Sequence, residues 1–125
     1  MAVADRLKRN REFSRVYRLG SYQAGHWIGL HAYKRRGAQA KKPSRVGFAV
    51  SRVNKGAVRR NRAKRLLRES FRLSGVQMAD GFDLILTARW QADQEPAFVS
   101  LLTETDQLMV RAGAGQLEAK GEEST

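Results

Sequence analysis

The sequence contains no cysteine among its 125 residues, and it has few acidic side chains and no long apolar run. Without cysteine the chain can form neither a disulfide framework nor a thiolate zinc site. No apolar run approaches the roughly 18 residues of a membrane-spanning helix, and no lipidation motif is visible. The first ten residues, MAVADRLKRN, lack the apolar core of a secretory signal. These absences predict a cytoplasmic protein without a membrane anchor.

Acidic residues are half as numerous as basic ones: 12 Asp and Glu stand against 24 Lys and Arg, which gives a net charge of +12. A charge of this size and sign points to a nucleic acid as the partner. The length fits one domain with a single modest core, which we place at residues 1–112. Residues 113–125 have three Glu and one Lys and predict a disordered acidic tail.

Patterns that would supply catalytic chemistry are also missing. His26 and His31 are five residues apart on a predicted strand, so they point to opposite faces and do not share a metal. Asp80 and Asp83 flank a predicted turn, where capping or solvation accounts for both. The sequence shows no glycine-rich phosphate loop, no nucleophile-elbow serine and no carboxylate pair for a two-metal nuclease. It therefore predicts neither a catalytic site nor a metal site in the protein itself.

What the sequence does contain is a strongly basic stretch from Arg52 to Arg72, with nine basic residues and a single acid, Glu69. At about 100° per residue, a helix places five polar side chains on one side: Asn61, Lys64, Arg65, Arg68 and Arg72. Its other side is mainly apolar and contains Ala63, Leu66, Leu67, Ser70 and Phe71. Solvated helix faces normally mix charges of both signs, so this single-sign face favours a bound polyanion over simple solvation.

The run G-A-V-x-R-N-R-x-K-R-L-x-R-E-x-F, residues 56–71, resembles the Arg-Asn-Arg signature helix of the bacterial ribonuclease P protein subunit. It is preceded by R-V-G-F-A-V-S-R, and the resemblance covers about residues 6–110. The matched positions are Ala57, Val58, Arg60, Asn61, Arg62, Lys64, Arg65, Leu66, Arg68, Glu69 and Phe71. One departure precedes the helix, because the family usually has Gly followed by Asn or Lys and this chain reads Asn54-Lys55-Gly56.

A first helix is predicted from the N-cap residue Asn10 through Arg18, and it ends at Leu19-Gly20. Helical spacing puts Phe13, Val16 and Tyr17 on one face and Arg11, Arg15 and Arg18 on another. Core packing alone would account for Phe13 and Tyr17. The resemblance instead implies that these aromatic residues line a cleft for the single-stranded 5′ leader of precursor tRNA, where bases stack on aromatic rings.

Three strands are predicted, at residues 26–34, 45–53 and 82–89, and a basic loop connects the first two at 35–44. In the second strand Val46, Phe48 and Val50 face one way, while Gly47, Ala49 and Ser51 face the other. The small residues can form a floor for a ligand or a surface for close helix packing. A last helix is predicted from Glu95-Pro96 to Gly113.

The element order αββαβα predicts an α+β fold, a two-layer α/β sandwich with a small, mostly antiparallel sheet. If the strands on either side of the basic helix are parallel, general rules favour a right-handed crossover. The resemblance implies the rarer left-handed βαβ crossover.

The resemblance further implies an accessory subunit of an endoribonuclease that matures the 5′ end of tRNA, with hydrolysis performed by the RNA subunit and its Mg²⁺ ions. Residues expected to contact that catalytic RNA are Arg60, Asn61, Arg62, Lys64, Arg65 and Arg68. Residues expected to form the leader cleft are Phe13, Tyr17, Ser51 and Arg52. The alternatives are a ribosomal protein or a general RNA chaperone. A DNA-binding helix is disfavoured because a strand, and not a helix-turn-helix partner, precedes the basic helix.

Overall fold

In a computed structural model that describes residues 4–52 and 55–117, the chain forms an α+β fold. The α-helices are α1 (Asn10–Leu19), α2 (Ala57–Arg72) and α3 (Phe98–Arg111). The strands are β1 (Asp5–Arg6), β2 (Ser21–Ala24), β3 (Ile28–Lys34), β4 (Arg45–Val50), β5 (Val76–Met78), β6 (Phe82–Ala88) and β7 (Gly115–Leu117). Short 3-10 helices cover Gly37–Lys41 and Ala92–Gln94.

The main sheet has five strands in the order β1-β4-β6-β3-β2. Strand β3 is antiparallel to β6 over seven residue pairs and to β2 over four. Strands β4 and β6 are parallel over six residue pairs and are connected through α2. The predicted fold class is therefore confirmed, while the hand of the β4-α2-β6 connection remains an expectation from the resemblance. The sequence prediction missed β1, β2, β5 and β7, which are too short to show a clear alternation.

The larger hydrophobic core lies between one face of the sheet and the helices α2 and α3. The sheet contributes alternate residues such as Val46, Leu84 and Leu86, which are all buried. The helices contribute Leu67 and Leu101, both with no exposed surface. Burying a side chain of this size stabilises the fold by roughly 1.5–3 kcal/mol, so these faces hold the two layers together. The predicted core sides of α2 and of β4 are therefore confirmed.

Helix α1 lies on the opposite face of the sheet, where it builds a second, smaller core. Val16 is fully buried against Ile85 of β6 and Leu7, which precedes the helix. The small-residue face of β4 is the reason why the helix can approach, because Phe13 lies against Gly47. At Gly47, then, the small residue permits helix packing.

Several predicted boundaries differ from the structure. The strand predicted at 26–34 begins at Ile28, because the carboxylate of Glu104 accepts hydrogen bonds from the amides of His26, Trp27 and Ile28 at 2.9, 2.7 and 2.6 Å. These three bonds hold the residues before β3 in a hairpin turn. The strand predicted at 45–53 ends at Val50, and residue 53 lies outside the described residues.

The last helix and the C-terminal boundary also differ. Helix α3 begins at Phe98, after the 3-10 turn, and not at Glu95-Pro96. Strand β7 pairs with β5 in a separate two-stranded sheet. The fold therefore extends to Leu117, past the predicted boundary at residue 112, and residues 118–125 lie outside the described residues.

Candidate nucleic-acid interface

The exposed side of α2 is a strongly basic surface among the described residues. The N-cap of α2 is Gly56, which has φ of +91°, a conformation that glycine adopts without a steric penalty. Asn61, Arg65 and Arg68 are exposed, and the opposite side of the helix is buried in the main core. Arg68 also lies 6.0 Å from the centroid of the Phe48 ring. A rigid scaffold therefore presents these three side chains to solvent.

Arg62 lies on the flank of this surface and has a partner that the sequence prediction missed. Its guanidinium donates two hydrogen bonds to Glu95, at 2.6 and 2.8 Å, yet 59% of its side chain remains exposed. These hydrogen bonds and the opposite charges lower the pKa of Glu95 and raise that of Arg62. The tertiary fold thus brings a carboxylate from the β6–α3 connection to the edge of the basic face. Spacing along α2 alone could not have revealed it.

The predicted cleft residues Phe13 and Tyr17 lie on the sheet side of α1 but differ in exposure. Phe13 is half-buried over Gly47, whereas 46% of Tyr17 is exposed. Partial burial raises the pKa of Tyr17, and a hydrogen bond with Thr87 opposes that effect in part. Tyr17 therefore offers an open aromatic surface, while Phe13 packs on the smaller core. The place of both residues in a leader cleft stays a prediction.

Ser51 and Arg52 directly follow the end of β4. The Ser51 amide donates to the Ala88 carbonyl at 2.9 Å, which continues the β4–β6 pairing, and Arg52 is exposed. In the same register Ala49 pairs with Thr87, the partner of Tyr17. The register therefore places Ser51 two residues beyond Ala49, towards the carboxyl ends of β4 and β6. That Ser51 and Arg52 join Phe13 and Tyr17 in one cleft stays a prediction.

Two further aromatic residues, His31 and Tyr22, form a cluster with Tyr17 and were not predicted. The ring centroid of His31 lies 4.8 Å from that of Tyr17 and 4.5 Å from that of Tyr22. Tyr22 is 47% exposed, and burial lowers the pKa of His31, which favours its neutral ring. Strand β2, which positions Tyr22, is only four residues long, which is too short to show a clear alternation.

The prediction that solvation or capping accounts for Asp83 is wrong. Asp83 has no exposed surface and accepts two hydrogen bonds from Arg45, at 2.9 and 2.7 Å. Arg15 and Arg35 approach the same carboxylate at 3.5 Å. Asp83 lies within β6 on the α1 face, so the tertiary structure converts an apparent turn residue into the centre of a buried charge cluster.

Within residues 4–52 and 55–117 no group of three or more His, Cys, Asp or Glu side chains could hold a metal ion. Over the same ranges, none of the helices combines the length and apolar character needed to cross a membrane.

The chain is similar to known proteins over most of its length. The family model for ribonuclease P matches residues 1–113. The ribonuclease P protein component of Symbiobacterium thermophilum is 40% identical over 118 residues, which cover 94% of this chain and 99% of the relative. That of Natranaerobius thermophilus is 43% identical over 88 residues, or 70% of this chain and 73% of the relative.

Solved structures show the same likeness. The ribonuclease P protein from Thermotoga maritima aligns with a TM-score of 0.69 at 25% identity, over 86% of this chain and 96% of that one. The Staphylococcus aureus protein aligns with a TM-score of 0.68 at 25% identity, over 90% and 98% of the two chains.

Proposed function

Because the chain belongs to the ribonuclease P protein family, we propose that it binds the catalytic RNA of ribonuclease P through α2 and the 5′ leader of precursor tRNA through the cleft beside α1. In this role it is the accessory protein of an endoribonuclease that matures the 5′ end of tRNA, and it acts in the cytoplasm. The RNA subunit carries out the hydrolysis, and the protein holds the RNA and the substrate in place.

The exposed face of α2 is the observation that carries the proposal. Asn61, Arg65 and Arg68 are exposed on a helix whose other side is fixed in the core. Guanidinium groups bind phosphate oxygens through two parallel hydrogen bonds, and an amide can reach a phosphate or a base edge. Lys64 and Arg60 extend this contact on one flank, and Arg62 extends it on the other, beside Glu95. The face can therefore follow an RNA backbone without deforming the protein.

The cleft beside α1 suits a single strand. Tyr17 supplies an exposed ring, Phe13 a half-buried one, and Ser51 and Arg52 supply polar groups at the end of β4. Base stacking on an aromatic ring tolerates any sequence, because every base has a π-face. This property suits leaders of different sequences, with Arg52 available to a phosphate.

In this proposal Mg²⁺ is held by the RNA, where it would stabilise charge on the phosphodiester undergoing hydrolysis. The protein's own carboxylates fit that arrangement poorly as metal ligands, because Asp83 is taken up by arginines and Glu95 by Arg62. The contribution of this chain is to bring positive charge to crowded phosphates and thereby lower the metal concentration that the RNA needs.

Reconstitution with the cognate catalytic RNA tests the proposal. Maturation of a precursor tRNA at low Mg²⁺ should require the protein. The Arg65→Glu/Arg68→Glu variant should fail to support this maturation, although its melting temperature should be unchanged. Arg111→Glu, on the exposed side of α3, is the control for charge alone. An unchanged affinity of the double variant for the catalytic RNA would exclude the α2 face as the binding surface.

Salt dependence gives an independent measure. If about five to eight basic residues meet phosphates, log affinity should fall with log salt by roughly 0.7–0.9 per contact. A ribosomal protein or general RNA chaperone would show similar salt dependence, but nothing in the structure or the comparisons favours either. Identification of the RNA bound to the protein in a lysate separates these alternatives.

A further inference from the structure

A second basic surface lies on the flank of α1 away from Tyr17, and the RNA contacts proposed above do not use it. It is a cleft of about 570 Å³ between α1, the start of β4 and the connection between β3 and β4. Six arginines line it: Arg11, Arg15, Arg18, Arg35, Arg36 and Arg45. The α1 arginines and the basic connection are separate features of the sequence, and the fold brings them together.

Three of these arginines carry charges that nothing in the described part of the chain neutralises. Arg11, Arg18 and Arg36 are exposed, and they form no hydrogen bond or ion pair with any described residue. Arg11, Arg15 and Arg18 also follow one another at helical spacing, and like charges so placed destabilise an isolated helix. A bound anion would relieve this repulsion.

The acidic groups near the cleft already form ion pairs with Arg15, Arg35 and Arg45, the lining arginines that make up its floor. Asp83, which is buried, accepts hydrogen bonds from Arg45 and approaches Arg15 and Arg35. Glu12 accepts a hydrogen bond from Arg45 at 2.7 Å. The cleft therefore has six arginines but only two carboxylates beside them. The excess positive charge belongs to the arginines nearest to solvent.

The floor is also held rigidly. The guanidinium of Arg35, which is 5% exposed, donates to the carbonyls of Gly81, Lys42 and Pro43 at 3.2, 3.0 and 2.6 Å. These bonds fix the connection that carries Arg36. The cleft is therefore formed before any ligand arrives, and a ligand need not order it.

Arg15, which is one of the residues lining the cleft, has an unsatisfied donor. Its Nε atom is buried and has no hydrogen-bond partner in the described part of the chain. The rest of the group is positioned, since it lies 5.5 Å from the Tyr33 ring centroid and 3.5 Å from Asp83. Buried donors are nearly always paired in folded proteins, and an anionic oxygen is the strongest partner for a guanidinium.

We propose that this cleft binds a phosphodiester of an RNA backbone, as a third contact that rests on the proposed function. The fork of a guanidinium matches the geometry of phosphate oxygens, which favours phosphate over a single carboxylate. Asp83, which pairs with the lining residues Arg15, Arg35 and Arg45, is four residues along β6 from Thr87, the hydrogen-bond partner of Tyr17, or about 13 Å at the rise of a strand. The phosphate belongs either to the catalytic RNA or to leader nucleotides beyond those that stack on Tyr17.

The first experiment uses inorganic phosphate as the probe and needs no RNA. The Nε–Hε signal of Arg15 in ¹⁵N-labelled protein, assigned by its loss in Arg15→Lys, should shift saturably as phosphate is added. Arg11→Gln/Arg18→Gln/Arg36→Gln should weaken that binding by roughly tenfold or more, because charged hydrogen bonds are removed. An Arg15 signal that does not move, or equal phosphate affinity in the triple variant, would overturn the site.

The second experiment compares the affinities of catalytic RNA, a precursor tRNA with a short leader and one with a long leader. Arg18→Gln should weaken at least one of these complexes more than Arg111→Gln does. These two arginines are a matched pair, since each is exposed in the last turn of its helix. A loss with catalytic RNA assigns the phosphate to that molecule, and a loss confined to the long leader assigns it to the leader.

Equal effects of the two substitutions on all three RNAs would overturn the proposal even if phosphate binds. If the wild-type protein fails to bind catalytic RNA at all, the proposed function fails instead, and the Arg15 signal still reports separately whether the cleft takes phosphate.

Discussion

The ring of Phe13 lies directly on the backbone of Gly47: a Cβ atom added to Gly47 would be 2.5 Å from Cζ of Phe13 and 2.6 Å from Cε1. Real Cβ atoms do not approach another atom so closely, so any larger residue at position 47 must displace the ring or the helix. The location of this cleft aromatic residue therefore depends on a glycine in β4, a strand that is distant in the sequence. Gly47 also allows α1 to reach the sheet and bury Val16.

Gly47→Ala should displace the Phe13 ring and weaken binding of precursor tRNA more than binding of mature tRNA. Overpacking of this kind costs roughly 1–3 kcal/mol, so the melting temperature should also fall. Gly75→Ala is the matched control, because the nearest atoms to its added Cβ lie 3.9 Å away. Unchanged discrimination between the two tRNAs would show that the position of Phe13 has no bearing on the leader.

Replacing Tyr17 and Phe13 separately with Leu should give different results because their burial differs. Tyr17→Leu should leave the melting temperature nearly unchanged, because 46% of this side chain is exposed. It should still weaken precursor binding, in the lower half of the roughly 1–3 kcal/mol that stacking on one base provides. Phe13→Leu should reduce both precursor affinity and stability.

Binding of mature tRNA and assembly with the catalytic RNA serve as the controls for both variants. If precursor and mature tRNA lose affinity equally, the two aromatic residues are core residues and not a leader platform.

Glu12→Gln should destabilise the fold at neutral pH, and the difference from wild type should vanish in acid. Burial alone would raise the pKa of Glu12, but hydrogen bonds from the Lys8 and Arg9 amides and the charge of Arg45 outweigh it, so the pKa is lowered. A lowered pKa adds stability that is complete above the ordinary value of 4.5 and is lost as pH falls through the folded value. Urea unfolding of both proteins at pH 7 and at acidic pH measures this, and a difference that persists in acid would contradict it.

Glu95→Gln should strengthen binding to the catalytic RNA, because Arg62 would no longer share its charge with a carboxylate. The salt dependence of the affinity should steepen by up to about 0.9, the value of one phosphate contact. The control is Asp93→Asn, which removes the same charge from an exposed residue. Asp93 lines the same groove as Arg62 and Glu95. A weaker complex with Glu95→Gln would mean that Glu95 orients Arg62 for RNA and does not compete with it.

The α2 face could be predicted from the sequence because it depends on local geometry. The spacing of Ala63, Leu67 and Phe71 defines a buried side at the period of a helix, and Asn61, Arg65 and Arg68 necessarily fall opposite. The alternation in β4 likewise predicted that Val46, Phe48 and Val50 share the face that packs on the main core. Helical and strand periods are properties of neighbouring residues, so one sequence contains them in full.

Only the tertiary structure decided which distant side chains meet. It paired Arg62 with Glu95, buried Asp83 among arginines from α1, the β3–β4 connection and β4, and brought Tyr22 beside His31. These contacts depend on the order and register of the strands, in which a shift of one residue would turn each side chain to the other face. The sequence by itself therefore determined that a basic helix is presented on an α+β core. Strand register decided which charges of that helix are free and where the second group of arginines lies.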